Sequence, residues 1–72
     1  MRIEELANEL ADAYRRAAHG DKVVSIYLFG IRNAANIAGS SPYEIAVRAG
    51  LPRSYGTEIA KAIRLAEHVT LR

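Results

Sequence analysis

The stretch RSYGTEIAKAIR, from Arg53 to Arg64, brings cations, hydroxyls and a carboxylate together within about three helical turns of sequence. Arg53, Lys61 and Arg64 bring positive charge, Ser54, Tyr55 and Thr57 bring hydroxyls, and Glu58 brings a carboxylate. An arginine fork donates in pairs to a phosphate or to the O6 and N7 edge of guanine. Ser54 and Thr57 can donate to phosphate oxygens, Tyr55 can do the same or pack on a sugar, and Glu58 can accept from cytosine N4. This is the chemistry of holding a polyanion, not of breaking bonds. General acid–base catalysis needs carboxylates or histidines held across a pocket. Here Glu4 and Glu5 suit the first turn of a helix, Glu44 suits a capping box, and Glu67 lies off an apolar stripe. His19 and His68 have no partner at metal-ligand spacing, and there is no cysteine. The glycines are scattered and form no phosphate-cradling loop. An enzyme, a metal site and a bound cofactor are therefore not expected.

The elements that position these residues read as a helix, a tight turn and a longer helix. Ser41 fits an N-cap, Pro42 the first helical position, and Glu44 the third position after the cap, from which it can reach back to the Ser41 N–H. Ile45, Ala46 and Ala49 form an apolar stripe that Gly50 ends. Leu51 plugs the corner, and Pro52 discourages continuation. The last helix, about 53–69, carries Ile59, Ala62, Ile63, Ala66 and Val69 at spacings of three and four.

Residues 41–69 resemble the helix-turn-helix of DNA-binding proteins. Ala46 and Gly50 match the small residue and turn glycine of that motif, Leu51 the apolar residue after the glycine, and Ile59 a core position of the recognition helix. Gly56 stands where the family usually has an apolar branched residue. The combination of LFGIRNAANI with LPRSYGTEIAKAIRLAEHV also resembles a small bacterial helix-turn-helix-like family. The resemblance implies double-stranded DNA as partner and the start of the last helix as the reading element. Its candidate contacts are Arg53, Ser54, Tyr55, Thr57, Glu58, Lys61 and Arg64, with Arg48 and Arg32 adding contacts if their helices cross the DNA backbone.

Upstream, Ile3, Leu6, Ala7, Leu10, Ala13, Tyr14 and Ala17 recur with helical spacing and predict a helix over about 2–19. Gly20 suits its end, and Asp12 can pair with Arg16. Asp21 can cap the next element. The run Val23–Phe29 has the β-branched and aromatic content of a strand, but its periodicity continues as a helix through Ala38. One helix over about 22–38 is expected, with Gly30 allowing another helix to approach, that starting at Ser41 being one choice. The alternative is a kink or break near Gly30. Thr70 to Arg72 read as a frayed end.

The expected fold is all-α: one compact four-helix domain, 1–72, containing a helix-turn-helix and no wing. At 72 residues, half of them hydrophobic and many of those alanine, the core is small. Lys and Arg number 10 against 8 Asp and Glu, a mild positive balance. No signal-peptide pattern and no apolar run of membrane-spanning length occurs, so a cytoplasmic location is expected.

The expected function is sequence-selective DNA binding as a small transcriptional regulator, with a homodimer formed through the first helix. The competing reading is a protein-interaction module, or an accessory subunit beside a larger protein partner, with Tyr27, Phe29, Tyr43 and Tyr55 leaving an exposed anchor. Individual residues have plainer readings too. Arg53 suits a solvated turn, Tyr55 a cover for the core, Ser54 an N-cap that moves the helix start two residues later, and Glu58 a partner for Lys61 or the helix dipole.

Overall fold

The computed structural model describes residues 2–70. Five α-helices follow in order: α1 (Ile3–Arg16), α2 (Lys22–Arg32), α3 (Ala34–Ile37), α4 (Pro42–Arg48) and α5 (Tyr55–Leu65). A 3₁₀ turn at His19–Asp21 joins α1 to α2. No strand occurs among the described residues, and no helix is long and apolar enough to cross a membrane. The described residues form an all-helical fold as expected, but with five α-helices among them where four were read. Leu71 and Arg72, from the expected frayed end, lie outside the described residues, as does Met1.

α1 forms where its apolar stripe dictates, and Leu6 and Leu10 are fully buried. The Glu5 carboxylate accepts from the Arg2 N–H at 3.1 Å, closing the first turn. The helix stops at Arg16 rather than near His19, because Ala17 is extended. Lys22 Nζ donates to the carbonyls of Tyr14 (2.7 Å) and Arg15 (3.3 Å), so a cation from the next helix satisfies the end of α1. Asp12 pairs with Arg15 at 2.7 Å, not with Arg16.

The Val23–Phe29 run is helical, with Ile26 and Phe29 in the core. Gly30 does not break α2. A Cβ placed there would lie 2.5 Å from Ala62 Cβ, so the bare glycine admits α5, not the helix that starts near Ser41. The break falls at Asn33 instead. Asn33 is buried, yet its side chain is fully engaged. Its amide nitrogen donates to the Glu9 carboxylate of α1 and to the Phe29 carbonyl (3.1 Å), and its oxygen accepts from Asn36 at 3.2 Å. The Asn33 carbonyl accepts from the Ile37 N–H and starts the single-turn helix α3. One residue thus ends α2, begins α3 and ties both to α1.

α4 begins as its capping residues predict: Ser41 Oγ accepts from the Glu44 N–H at 3.3 Å, with Pro42 at the first helical position. The Glu44 carboxylate turns to Arg48 instead of back to the cap. At the other end the Leu51 N–H reaches the Ala46 carbonyl and the Gly50 N–H reaches the Val47 carbonyl, both at 3.0 Å, with Gly50 at φ +82°. This paired closure needs a residue that tolerates the left-handed conformation. Leu51 then packs against the core, as expected. α5 starts at Tyr55, two residues later than the main reading, and ends at Leu65 rather than near Val69.

The core joins all five helices through Leu6, Leu10, Ile26, Phe29, Ile37, Ile45, Ala46 and Ile59. α5 packs between α2 and α4, and its other face is left to solvent.

Candidate nucleic-acid interface

The outward face of α5 is polar and basic. Thr57, Lys61 and Arg64 are all exposed, and their spacing of four and three puts them on one side of the helix. Ser54, at the N-cap, continues the stripe by three residues and is exposed with an unengaged hydroxyl at the cap. Arg53 precedes it in the turn, also exposed. The inward face carries Ile59 and Ala62, fully buried.

Gly56 explains how the start of α5 is held. It is buried, and a Cβ there would lie 2.6 Å from the Tyr43 Cα and 2.5 Å from the Tyr43 ring. The missing side chain therefore lets the first turns of α4 and α5 cross at backbone contact. From that crossing the Tyr43 ring extends beneath Arg53, whose guanidinium carbon lies 4.8 Å from the ring centre. The Tyr43 hydroxyl lies 3.4 Å from Thr57 Oγ1. Tyr43 was missed among the candidate site residues. Its spacing marks it only as a first-turn residue, and what makes it notable is a neighbour in the next helix.

Glu58 and Tyr55 turn inward. The Glu58 carboxylate accepts from the Tyr27 hydroxyl of α2 and lies 4.0 Å from Lys61 Nζ. That hydrogen bond, with lesser help from desolvation and the carboxylate charge, raises the Tyr27 pKa above its ordinary 10.0. Tyr55 packs against the core with its ring 6.0 Å from that of Tyr14, the covering role that was its plainer reading.

Arg48 and Arg32 stand apart from the stripe. Arg48 on α4 meets Glu44 at 3.1 Å and Glu4 of α1 at 3.3 Å, so two carboxylates already answer its charge. Arg32 lines a groove of about 670 Å³ between α1 and α2, together with Glu9, Asp12, Arg16 and Asp21. No residue of α4 or α5 borders that groove. The structure thus collects Arg53, Ser54, Thr57, Lys61 and Arg64 on one surface, turns Glu58 and Tyr55 inward, and leaves Arg48 and Arg32 elsewhere.

No curated protein and no solved structure matches the chain. A family model described as an HTH-like domain matches residues 2–72, all but the first residue of the sequence. Such membership supports a DNA-binding or regulatory role in general. With the capped α4, the Gly50 turn and the outward-facing α5 in place, the chain belongs to the HTH-like domain family.

Proposed function

We propose that this protein binds double-stranded DNA sequence-selectively through the N-terminal part of α5, as a small transcriptional regulator. The observation that carries the reading is the exposed stripe of Ser54, Thr57, Lys61 and Arg64, headed by Arg53. A helix of this width fits the major groove, and residues at its start are the ones that meet base edges. The only acidic side chain in the first turn of α5, Glu58, is drawn inward by Tyr27, which reduces repulsion of phosphates at that end. The mild net charge of +2 matters less than this local arrangement.

The interaction-module reading relied on an exposed aromatic anchor. Phe29 is buried, and Tyr27, Tyr43 and Tyr55 are partly buried and engaged by Glu58, Arg53 and Tyr14 respectively. This favours DNA over an aromatic-anchored protein contact. For the homodimer, the α1–α2 groove is the surface that suits a second copy. Ala13, Ala17, Val24 and Leu28 give it an apolar floor, and charges of both signs rim it. Light scattering over a broad concentration range tests this, and a monomer mass throughout would eliminate the dimer.

DNA binding is tested by fluorescence-anisotropy titration with random-sequence duplex at low and moderate salt. Micromolar affinity that weakens with salt is expected. Absence of binding at low salt would refute the reading.

A further inference from the structure

We propose that Tyr43 is a positioning residue for base recognition, its ring holding the Arg53 guanidinium ready for the major-groove edge of a guanine. The inference rests on the DNA-binding reading above and names what one of its residues reads. Its basis is a chain of contacts that crosses from α4 to α5. Gly56 lets the Tyr43 backbone and ring pack directly against the first turn of α5. Thr57 Oγ1 lies 3.4 Å from the Tyr43 hydroxyl. Arg53 lies over the ring face, exposed to solvent, and makes no ion pair among the described residues.

An exposed arginine at a turn ordinarily samples many rotamers, and binding must then order it. A cation held on an aromatic face has part of that ordering already done. The distinction matters for what Arg53 contacts. A phosphate accepts a cation from almost any direction, so a fixed guanidinium gains little there, and a lysine serves nearly as well. The O6 and N7 acceptors of guanine lie side by side in one plane and require a correctly oriented fork. An arginine fixed on a tyrosine at the entry to the reading helix suits the second task. The Thr57 hydroxyl lies 3.4 Å from the hydroxyl of the same tyrosine.

The test begins by selecting bound sequences from a randomised duplex of about 20 base pairs, enough for two half-sites one turn apart. Anisotropy then gives the affinity of wild type, Arg53→Lys, Tyr43→Phe and Tyr43→Leu for the selected duplex. The same is done for copies in which each G·C pair in turn becomes A·T. The expected result is one G·C position whose replacement weakens wild type about tenfold. Arg53→Lys and Tyr43→Leu erase that discrimination, read as the ratio of affinities for the selected and the substituted duplex. Tyr43→Phe, which keeps the ring, retains it. Discrimination that survives Tyr43→Leu overturns the proposal, as does the lack of any guanine position sensitive to Arg53→Lys. A second measurement does not depend on how Tyr43→Leu folds. NMR of wild type should show Arg53 side-chain protons shifted upfield by the ring, free and on DNA, and random-coil shifts would overturn the clamp. If wild type binds no duplex, this inference and the DNA-binding reading both fall. If it binds with a preference indifferent to Tyr43, this inference alone falls.

Discussion

Tyr43 and Gly56 meet backbone to backbone: a Cβ on Gly56 would lie 2.6 Å from the Tyr43 Cα. The motif usually has an apolar branched side chain at the position of Gly56. Here the side chain is dispensed with, and the first turns of the two helices close directly on each other. Gly56→Ala should therefore destabilise the fold by about 1–3 kcal/mol, although alanine is the better helix former. The melting temperature should fall by several degrees for each kcal/mol lost in a domain this small. A melting temperature equal to or above wild type would show that α4 can yield.

Gly30→Ala is expected to behave in the same way at the other close approach of α5. Its new methyl would meet Ala62 Cβ at 2.5 Å and the Ile59 carbonyl at 3.3 Å. Neither neighbour is the end of a flexible side chain. The gain in helix propensity, about 0.5–1 kcal/mol, is smaller than the expected overpacking cost of about 1–3 kcal/mol. Urea unfolding should show a lower midpoint with an unchanged slope.

Asn33→Asp separates the hydrogen-bonding role of this residue from its size. The asparagine amide donates to the Glu9 carboxylate and the Phe29 carbonyl. An ionised aspartate has no donor and would face both acceptors with like charge toward Glu9. A loss of about 2 kcal/mol or more is expected at neutral pH. Acidification should recover part of it, since a protonated aspartate regains a donor. Thermal melts across acidic pH measure both effects, and a variant equal to wild type at neutral pH would remove Asn33 as the tie between α1, α2 and α3.

Tyr27 gives the fold an alkaline limit. Its pKa is raised from 10.0, so its bond to Glu58 contributes fully below pH 10.0 and is lost as pH rises through the higher folded value. Deprotonation removes the donor and leaves a phenolate beside a carboxylate. Tyr27→Phe should be less stable than wild type near neutrality, with a shallower decline above pH 10.0. Parallel declines in the two proteins would mean that Tyr27 carries none of the alkaline dependence.

What the sequence made legible was local. The Ser41 cap, Pro42, the Gly50 turn and the packing of Leu51 are encoded within a few residues of where they act, and the structure has each of them. The helical periodicity of α1 and the continuation of the Val23–Phe29 run as helix were also readable. Features that depend on distant partners were not. Asn33 breaks the second helix with help from Glu9, which lies 24 residues away. Gly30 admits α5, and Glu58 finds Tyr27 at a separation of 31 residues. Helical spacing marks Glu58 as available to DNA, and only the placement of α2 beside α5 draws it inward. The common exposure of Lys61, Arg64 and Thr57 follows from the buried side of α5, which carries Ile59 and Ala62.

The central claim is that the outward stripe of α5, not basic charge in general, holds DNA. The most direct test is the salt dependence of binding to random-sequence duplex for wild type, Arg53→Ala, Lys61→Ala and Arg48→Ala. Each cation that meets a phosphate contributes about one unit to the slope of log affinity against log salt. Lys61→Ala should weaken binding and reduce the slope by about one. Arg53→Ala should also weaken binding. Arg48→Ala, whose charge is already met by Glu4 and Glu44, should leave the slope close to wild type. No binding at low salt, or equal losses for Arg48→Ala and Lys61→Ala, would contradict the claim.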